Sequence, residues 1–449
     1  MARKYLIETY GCQMNIHDSE RMAGLLEQAG YEATDDDRDP DVVVINTCSV
    51  REKAEEKLFT RLGEIHHQGL ETGERPVVAV AGCVAQQEGE KILQRSAAVD
   101  VIVGTQSLKR LPMLIDTAVE RRQHHQRAIP SLSLDPIEDV SFPLGIARRA
   151  DPHKAYVTII EGCNEFCAFC VVPYTRGNER MRSVGEIVAD ATQAADTGAK
   201  EIQLLGQIVN HYQAPDDPSC DFAGLLERLN GIHGLERIRF ASPHPRHVTP
   251  RMIEAMRTLP KVARHLHLPV QSGSSEMLKA MRRRHTREEY LELVARLREA
   301  MPDIALSTDM IVGFPGERDG HFEDTLSLTA TVRYHSMFSF KYSPRPNTLA
   351  LKRLPDDVPE EEKTRRIVAL QALQKEVQGK LYEAAIGRVE QVLIDSRSRR
   401  REWELSGRTS GNTVVNLSGD PGWIGRIVPV RITGANPNSL RGEIASSEL

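Results

Sequence analysis

The chain has 449 residues, 40% of them hydrophobic, and carries a formal net charge of −5 at pH 7. Its length and composition predict a soluble globular protein of two or three domains, and the net charge excludes a polycation. The N-terminal sequence MARKYLIETYGC has no apolar signal region, and no segment reaches the roughly 18 consecutive apolar residues of a membrane helix, so we expect a cytoplasmic protein without membrane contacts. In that compartment, seven cysteines indicate metal or redox use rather than disulfides.

The first 110 residues repeat one pattern, an apolar segment followed by a cysteine and an amphipathic helical stretch. The segments are KYLIETY, DVVVINT and PVVAVAG, and the cysteines are Cys12, Cys48 and Cys83. Their intervals of 36 and 35 residues predict βα units of a parallel sheet, with VDVIVG as a fourth strand. Because parallel strands end at one edge, the three thiols are expected to meet there, near helix N-termini that favour the thiolate. This placement favours metal ligands over three ordinary core cysteines.

Residues 111–150 are predicted to form an irregular connector with one short helix. From residue 155 onward, six apolar segments alternate with helical ones: AYVTIIEG, EIQLLG, LERIRFAS, RHLHLPV, IALSTDMIVG and SMFSFKYS. This alternation predicts a curved parallel sheet or incomplete barrel, whose chemistry should lie at the carboxyl ends of the strands. The longest helix between the strands is expected near residues 274–300.

Three cysteines follow the first of those six strands within the segment GCNEFCAFC. They are Cys163, Cys167 and Cys170. A Cys-x3-Cys-x2-Cys loop can hold three irons of a [4Fe–4S] cluster and leave the fourth iron open to a substrate or cofactor. The alternatives are a zinc site and a fully ligated structural cluster, and both need a fourth ligand. No fourth ligand is offered locally by Asn164, Glu165 or Ala168, so the spacing favours an open cluster.

The sequence after Gly387 changes to short β-like runs separated by Gly, Asn and Pro, which predicts a small all-β barrel of about 60 residues. Its basic stretch RSRRRE at 397–402 has two interpretations. It is either a phosphate-binding surface or a solvated turn between two strands.

The segment GCNEFCAFC resembles the cluster motif of the radical S-adenosylmethionine (SAM) superfamily. In that superfamily the open iron chelates the amino and carboxylate groups of SAM, and reduction of the cluster cleaves SAM to a 5′-deoxyadenosyl radical. Further segments resemble the methylthiotransferase family over nearly the whole chain, and in particular its branch that modifies isopentenyladenosine in tRNA. These segments are ETYGCQMN, INTCSVREKAEEK, AGCVAQQEGE, GCNEFCAFCVVPYTRG, HLPVQSGS, DMIVGFPGE and FSFKYSPRPNT.

The resemblance implies an α/β protein of three domains. Residues 1–115 would form the N-terminal methylthiotransferase domain, a parallel α/β domain whose three cysteines hold an auxiliary [4Fe–4S] cluster, and residues 116–148 a connector. Residues 149–380 would form a partial (β/α)6 radical SAM barrel with the second [4Fe–4S] cluster and SAM. Residues 381–449 would form a TRAM domain, an OB-like barrel that binds RNA.

The family's reaction converts N6-isopentenyladenosine at position 37 of tRNA, beside the anticodon, into its 2-methylthio derivative, using two SAM molecules and two [4Fe–4S] clusters. The C2–H bond of adenine is inert, so its cleavage belongs to a cofactor and no side chain is predicted to be catalytic. The implied partners are tRNA with a prenylated adenosine in its anticodon loop and an electron donor such as flavodoxin or ferredoxin. The protein is expected to be a monomer.

Residues at the strand ends are expected to line the SAM pocket by analogy with the superfamily. They are Phe169, Gly206, Gln207, Asn210, Gln271, Ser272, Asp309, Val312 and Gly313. The family usually has Asn at the position of Ile208, so a side-chain role there is not carried over. For each residue the alternative is barrel-core packing or turn geometry. The likeness to a TRAM domain also predicts RNA contacts by the arginines of the basic stretch, Arg397, Arg399, Arg400 and Arg401.

Two other functions stay open at this point. One is a methylthiotransferase that acts on threonylcarbamoyladenosine in tRNA or on an aspartate of a ribosomal protein. The other is a non-enzymatic iron–sulfur protein that binds RNA. Two open clusters argue against the second, because a structural cluster gains stability from full ligation.

Overall fold

The computed structural model describes residues 2–38, 40–50, 52–124, 129–135, 142–398, 401 and 403–445. The chain forms two units, the first of residues 1–150, 161–164 and 170–180, and the second of 151–160, 165–169 and 181–449. None of the helices in these described ranges is both long enough and apolar enough to cross a membrane.

A six-stranded parallel sheet forms the centre of the first unit. Its strands are β1 (Lys4–Tyr10), β2 (Glu32–Ala33), β3 (Val42–Thr47), β4 (Val77–Gly82), β5 (Val101–Val103) and β6 (Ser131–Ser133). The helices are α1 (Gln13–Gln28), α2 (Glu52–Thr72), α3 (Cys83–Glu88), α4 (Lys91–Arg95) and α5 (Leu111–Gln123). The strand order is β2-β1-β3-β4-β5-β6, and all pairings are parallel. The four predicted strands are present, whereas β6 lies in the segment that we predicted to be an irregular connector.

The alternation of side chains along β3 explains why helices cover both faces of this sheet. Val42 and Val44 pack in one core with residues of α1 and α5, and Val43 and Ile45 pack in the other with residues of α2. All six residues of β3 are buried. Such a strand is expected for a parallel sheet with two covered faces, and it reads as a continuous apolar run in the sequence.

An open barrel of six parallel strands forms the core of the second unit. The strands of this part of the chain are β7 (Lys154–Thr158), β8 (Ile160–Glu161), β9 (Arg180–Met181), β10 (Glu201–Leu205), β11 (Arg237–Phe240), β12 (His265–His267), β13 (Ala305–Val312) and β14 (Ser336–Lys341). Helix α6 (Val172–Arg176) belongs to the first unit. The helices of the second unit are α7 (Val184–Asp196), α8 (Phe222–Asn230), α9 (Pro250–Thr258), α10 (Ser275–Ala280), α11 (Arg287–Ala300), α12 (Asp319–Val332), α13 (Leu349–Arg353) and α14 (Glu360–Glu383).

The barrel is built from two parallel sheets, β7-β10-β11 and β12-β13-β14, while β8 and β9 form a separate pair. The backbone of Ile238 in β11 joins the two sheets, since its N–H donates to Lys261 and its carbonyl accepts from Ala263. All six predicted strands are therefore present in an incomplete barrel, which confirms the predicted architecture.

The predicted long helix over 274–300 is wrong, because α10 ends at Ala280 and α11 begins at Arg287. The hydroxyl of Thr286 accepts from the N–H of Glu289, and the Glu289 carboxylate accepts from the N–H of Thr286, which is a capping box that starts a new helix. Within the turn, Arg282 and Arg284 have left-handed backbones with φ of 58° and 55°. Each such conformation costs roughly 1–2 kcal/mol for a residue other than glycine.

A closed five-stranded barrel ends the second unit, as predicted. Its strands are β15 (Val389–Arg397), β16 (Glu404–Thr409), β17 (Val414–Ser418), β18 (Ile427–Asn436) and β19 (Ser439–Ile444), in the order β15-β16-β17-β19-β18. Two buried arginines of β11, Arg237 and Arg239, attach this small barrel to the large one. Their guanidinium groups donate at 2.5–3.0 Å to the carbonyls of Gln391, Arg408, Thr409 and Ser410. The carboxylate of Glu201 accepts from Arg239 at 3.0 Å and balances part of this buried charge.

Candidate active site

The first three cysteines lie where β1, β3 and β4 end. Tyr10 pairs with Thr47, and Thr47 pairs with Gly82, so the three strands finish in register. The cysteines follow these ends within one or two residues, at Cys12, Cys48 and Cys83. The parallel pattern therefore brings thiols that are 36 and 35 residues apart in sequence to one edge of the sheet, as we expected.

The three thiols at this edge interact with each other. A hydrogen bond from Cys48 lowers the pKa of Cys12 to about 6. The same bond, together with burial and the charge of Cys83, raises the pKa of Cys48. Burial also raises the pKa of Cys83, whereas the positive charge of the Arg176 guanidinium lowers it. One thiolate is thus favoured within the group, and it is located on Cys12 at the N-terminus of α1.

Two glycines next to the cysteines permit this close approach. A Cβ atom on Gly11 would lie 2.7 Å from Cβ of Cys48. Gly82 has φ of 88°, and a Cβ atom there would lie 2.2 Å from Oδ1 of Asn46. Asn46 in turn accepts from Nδ2 of Asn15 at 3.1 Å. The Gly–Cys pairs therefore have a steric reason, because a side chain before either cysteine would displace a neighbouring element.

A buried ion pair lies beside the N-terminal cysteines. Nη2 of Arg176 is 2.6 Å from Oδ2 of Asp18, and both residues are almost fully buried. Arg176 ends α6, which packs against α3, and it also hydrogen-bonds to Cys83. Burial opposes its charge, but Asp18 and Cys83 hold the pKa of Arg176 above its ordinary value. The carbonyl of Arg176 is fixed by Nε2 of Gln106 at 2.6 Å, so the cation has a defined position.

The three thiols at this edge form a donor set that suits an iron–sulfur cluster. Among the described residues, no three side chains of His, Cys, Asp or Glu meet closely enough to ligate one metal ion. In a [4Fe–4S] cubane each thiolate ligates a different iron, so the sulfur atoms need not converge on one point. Three thiols with one adjacent buried cation match a cluster whose three protein ligands are thiolates.

The loop with the other three cysteines begins at a third Gly–Cys pair, Gly162 and Cys163. Gly162 has φ of 84°, and a Cβ atom there would lie 2.0 Å from the carbonyl oxygen of Asn178. The N–H of Cys163 donates to the carbonyl of Gly177 at 3.1 Å. The chain that returns after Cys170 therefore fixes the start of the loop.

The middle of the same loop is fixed by the barrel. The N–H of Ala168 donates to the carbonyl of Met281, and its carbonyl accepts from Ala350. Glu165, also buried, accepts from Nε2 of His247 at 2.9 Å, and Nη1 of Arg284 lies 3.6 Å from it. Burial works against ionisation of Glu165, but His247 and the nearby arginines hold its pKa below the ordinary value. This carboxylate is thereby engaged in positioning the loop.

Two of the predicted SAM-pocket residues, Gln207 and Asp309, keep polar groups that a ligand can use. Oε1 of Gln207 is buried and has no hydrogen-bond partner. Asp309 is partly exposed, and its Oδ1 lies 3.4 Å from Nε2 of His267. Gln271 has a left-handed backbone with φ of 81°, and its N–H and carbonyl pair with β13. Gln207 and Gln271 follow the ends of β10 and β12, and Asp309 lies within β13, in the part of the barrel where the SAM pocket is expected.

Other predicted SAM-pocket residues are occupied by the fold itself. The side-chain amide of Asn210 donates to the carbonyl of His244 and accepts from its N–H. The N–H of Gly313 donates to Oε1 of Glu317 at 2.7 Å. The side chains of Val312 and Ser272 are fully buried, Gly206 packs against Ile160, and Phe169 packs beside an apolar cluster that contains Phe314. Packing accounts for these positions, and their contacts with SAM stay a prediction.

Three family models match the chain. They are the uncharacterized protein family UPF0004 over residues 4–104, the Radical SAM superfamily over 157–329 and the TRAM domain over 383–445. The matches cover the parallel sheet with its three cysteines, most of the open barrel, and the closed barrel, respectively.

Curated relatives match the chain from end to end. Proteins named tRNA-2-methylthio-N(6)-dimethylallyladenosine synthase are 46% identical in Alkalilimnicola ehrlichii, over 99% of this chain and 98% of the relative, and 44% identical in Solibacter usitatus, with the same coverage. The protein of that name from Agrobacterium fabrum is 46% identical over 99% of this chain and 98% of its own length. The chain belongs to this family of methylthiotransferases. The resemblance stated from the sequence motifs is therefore confirmed.

Solved structures show the same fold. The radical S-adenosylmethionine methyltransferase TsrM from Kitasatospora setae matches with a TM-score of 0.56 and 14% identity, over 78% of this chain and 74% of its own. The cobalamin-dependent S-adenosylmethionine radical enzyme OxsB matches with a TM-score of 0.53 and 12% identity, over 83% of this chain and 56% of its own. At these identities the likeness concerns the fold alone.

A polar groove of about 840 Å³ runs along the TRAM barrel of this methylthiotransferase. Five cations and three carboxylates line it; the cations are Lys154, Arg397, Arg401, Arg408 and Arg441. Nη1 of Arg401 lies 2.8 Å from Oε1 of Glu404, so this arginine is held over the groove. Two of the predicted RNA-binding residues, Arg397 and Arg401, thus line a groove, whereas Arg399 and Arg400 lie outside the described residues.

Proposed function

We propose that the chain converts N6-isopentenyladenosine at position 37 of tRNA into 2-methylthio-N6-isopentenyladenosine. The observation that carries this proposal is the identity of 44–46% with synthases of that name over their whole length. Two sets of three cysteines, one at the edge of the parallel sheet and one in the barrel loop, support it. The test is mass spectrometry of tRNA nucleosides from a strain that lacks the gene, in which the 2-methylthio derivative should disappear and the isopentenyl precursor accumulate.

The cofactors are two [4Fe–4S] clusters and SAM, which together supply an organic radical and a sulfur-bearing group for the inert C2–H bond of adenine. We assign the ligands of the auxiliary cluster as Cys12, Cys48 and Cys83, and those of the SAM cluster as Cys163, Cys167 and Cys170. The residues of this chain hold these groups and the base in place, and no side chain is needed as a general acid or base. Gln207, Gln271 and Asp309 are proposed to orient SAM.

The inner face of the barrel offers an apolar surface for the modified base. Phe338 and Phe340 in β14 are 54% and 38% exposed although they are aromatic. Ser339 between them accepts from Gln371 of α14, so strand alternation places the two aromatic residues on the face of β14 opposite Ser339. Phe338 pairs with Asp309 across the sheet, and its ring lies 6.1 Å from that of His267. The rings therefore share a face with residues of the proposed SAM pocket.

These two rings provide a physical basis for substrate selectivity. The isopentenyl group adds five carbons to adenine, and burial of each methylene-sized group contributes about 0.8 kcal/mol. Half of that total, about 2 kcal/mol, already separates prenylated from bare tRNA by a factor of about 30. We therefore expect prenylation to precede methylthiolation. A base in an anticodon loop is unpaired, which lowers the cost of exposing its C2 edge.

A side-by-side assay on one tRNA in prenylated, threonylcarbamoylated and bare forms tests this selectivity. The prenylated form should have the highest kcat/KM, and Phe338→Ala should reduce its advantage over the bare form. Val368→Ala is a matched control, since Val368 is 59% exposed on α14, on the other side of β14. A preference for the threonylcarbamoylated form would assign the chain to a sister activity, and equal turnover of all three forms would contradict an apolar pocket.

The groove on the TRAM barrel is proposed to hold the tRNA backbone. Arg397→Gln and Arg401→Gln should weaken tRNA binding, and each should reduce the slope of log K against log salt by about one. Arg257→Gln serves as the control, because Arg257 is an exposed arginine on α9 that pairs with Glu254. Deleting the barrel is the less suitable test, since it would leave the donors of Arg237 and Arg239 buried without acceptors. An unchanged salt slope would identify the basic stretch as a solvated turn.

We further propose a monomeric, cytoplasmic enzyme that accepts single electrons from a flavodoxin or ferredoxin. A tRNA substrate supports the location, and the need to reduce a [4Fe–4S] cluster supports the class of donor. Sedimentation equilibrium of the reconstituted protein tests the oligomeric state. Reduction of the clusters by flavodoxin or ferredoxin, each with its reductase and followed by EPR, tests the donor.

A further inference from the structure

Arg283 is a buried arginine next to the middle cysteine of the barrel loop. Only 6% of the residue is exposed. Its Nη1 donates to Sγ of Cys167 at 3.5 Å, and its Nη2 donates to the carbonyl of Pro269 at 2.5 Å. Its Nε is buried and has no hydrogen-bond partner. Among the described residues no carboxylate forms an ion pair with Arg283, so its guanidinium lacks a counter-ion.

The backbone of the turn 281–286 determines this orientation. Arg282 and Arg284 are exposed and left-handed, whereas Arg283 between them is buried. The N–H of Arg283 donates to the carbonyl of Leu278 at 2.9 Å, and the carbonyl of Met281 accepts from Ala168 of the cysteine loop at 2.9 Å. The turn is therefore attached to the loop by its backbone while it directs one of three consecutive arginines toward Cys167.

The groups around Arg283 do not neutralise it. Glu165, the carboxylate within the cysteine loop, contacts Arg284, Arg246 and His247 instead. Burial, together with the charge of Arg283, lowers the pKa of His285 to about 4, so that imidazole is neutral at pH 7. A buried cation without a counter-ion is unfavourable in a medium of low polarity. An anionic group at Cys167 would therefore supply the counter-ion that Arg283 lacks.

We propose that Arg283 is a positioning residue that compensates the charge of the cluster held by Cys163, Cys167 and Cys170. The inference rests on the proposed function, in which three thiolates hold a [4Fe–4S] cluster in this loop. Net charge and hydrogen bonds to the sulfur atoms set the reduction potential of such a cluster. A donated hydrogen bond and a positive charge at Cys167 stabilise the reduced, more negative form. Arg283 therefore raises the reduction potential of this cluster.

The test is an EPR-monitored redox titration of the full-length, anaerobically reconstituted protein and its variants. The SAM-binding cluster is recognised as the one whose signal changes when SAM is added. Arg283→Met should shift its midpoint potential to a more negative value, and Arg283→Lys, which keeps the charge but not the planar fork, should give a smaller shift. Arg282→Met, a change of the same kind at the exposed neighbour, should leave the potential as in the unmodified protein.

Full iron content and an unmoved potential in Arg283→Met would overturn the proposal, as would an equal shift in Arg282→Met. If Arg283→Met loses half of its iron, Arg283→Lys decides, because a charge-compensating role predicts that lysine restores the iron. Failure of lysine to restore it would also overturn the proposal. If no EPR signal responds to SAM in the unmodified protein, the proposed function itself fails, which separates the two inferences.

Discussion

The two cysteine sites of this protein are assembled in opposite ways. The N-terminal site takes its three thiols from the ends of three strands, so residues 12 to 83 must fold before the site exists. The other site takes its three thiols from a single loop of eight residues, 163 to 170. The first site is therefore a product of tertiary structure, and the second is largely specified by local sequence.

The cations beside the two sites differ as well. Arg176 at the N-terminal site is paired with the carboxylate of Asp18. Arg283 at the barrel loop has no carboxylate partner among the described residues. At the N-terminal site the arginine is fixed by an ion pair, whereas the arginine of the barrel loop is the one that we propose to compensate the charge of a cluster.

The largest expected effect comes from removing each set of ligands in turn. Replacing the three N-terminal cysteines by alanine should lower the iron content from about eight to about four per chain and spare reductive cleavage of SAM. Replacing the three loop cysteines should give a similar loss of iron but abolish cleavage. Iron analysis and chromatography of 5′-deoxyadenosine with dithionite as reductant measure both outcomes. Loss of cleavage in the first variant would show that the two sites do not divide the work in this way.

Breaking the buried pair at the N-terminal site should have the next largest effect. Asp18→Asn leaves Arg176 buried without its carboxylate, and the loss of one partner of a buried pair costs about 3–5 kcal/mol. We expect a lower urea midpoint and selective loss of the auxiliary cluster. Asp36→Asn removes the carboxylate of the exposed pair with Arg38 and should leave both properties unchanged. Equal effects of the two variants would contradict a special role of burial at this site.

A smaller effect is expected from the glycine that precedes Cys83. Gly82→Ala adds both a strained backbone and a methyl group that clashes with Asn46. Gly30→Ala is a matched control, because Gly30 has the same φ of 88° in the same unit and nothing within 4 Å of the added atom. The control should lose about 1–2 kcal/mol of unfolding free energy from strain alone, and Gly82→Ala should lose more, together with iron. Similar values in chemical denaturation would show that the close approach is not needed for the site.

The sequence predicted those parts of the fold that depend on local patterns. Buried runs such as Val42–Thr47 mark strands of a parallel sheet, and the regular spacing of cysteines after them indicates a shared edge. The long helix over 274–300 was mispredicted because apolar periodicity outweighed a capping box that was visible at Thr286 and Glu289. The capping box by itself indicates that a helix starts at Arg287.

The arginines of the two sites could not be predicted, because their contacts join distant parts of the chain. Arg176 meets Asp18 across 158 residues, and Arg283 meets Cys167 across 116. Nothing in the spacing of either pair signals a contact. The stretch of three arginines at 282–284 reads as a solvated helix face, and only the left-handed turn shows that the middle one is buried.

Arg237 and Arg239 attach the TRAM barrel directly to the open barrel. Four hydrogen bonds from their buried guanidinium groups join the two barrels. An RNA-binding module on a flexible tether raises the local concentration of its substrate but leaves the reacting group to search for its site. Here the four hydrogen bonds oppose such a search by fixing the groove relative to the open barrel. If tRNA binds in the groove as proposed, the distance from the groove to the open barrel would select which base reaches the site, so the shape of the tRNA would contribute to the choice of base.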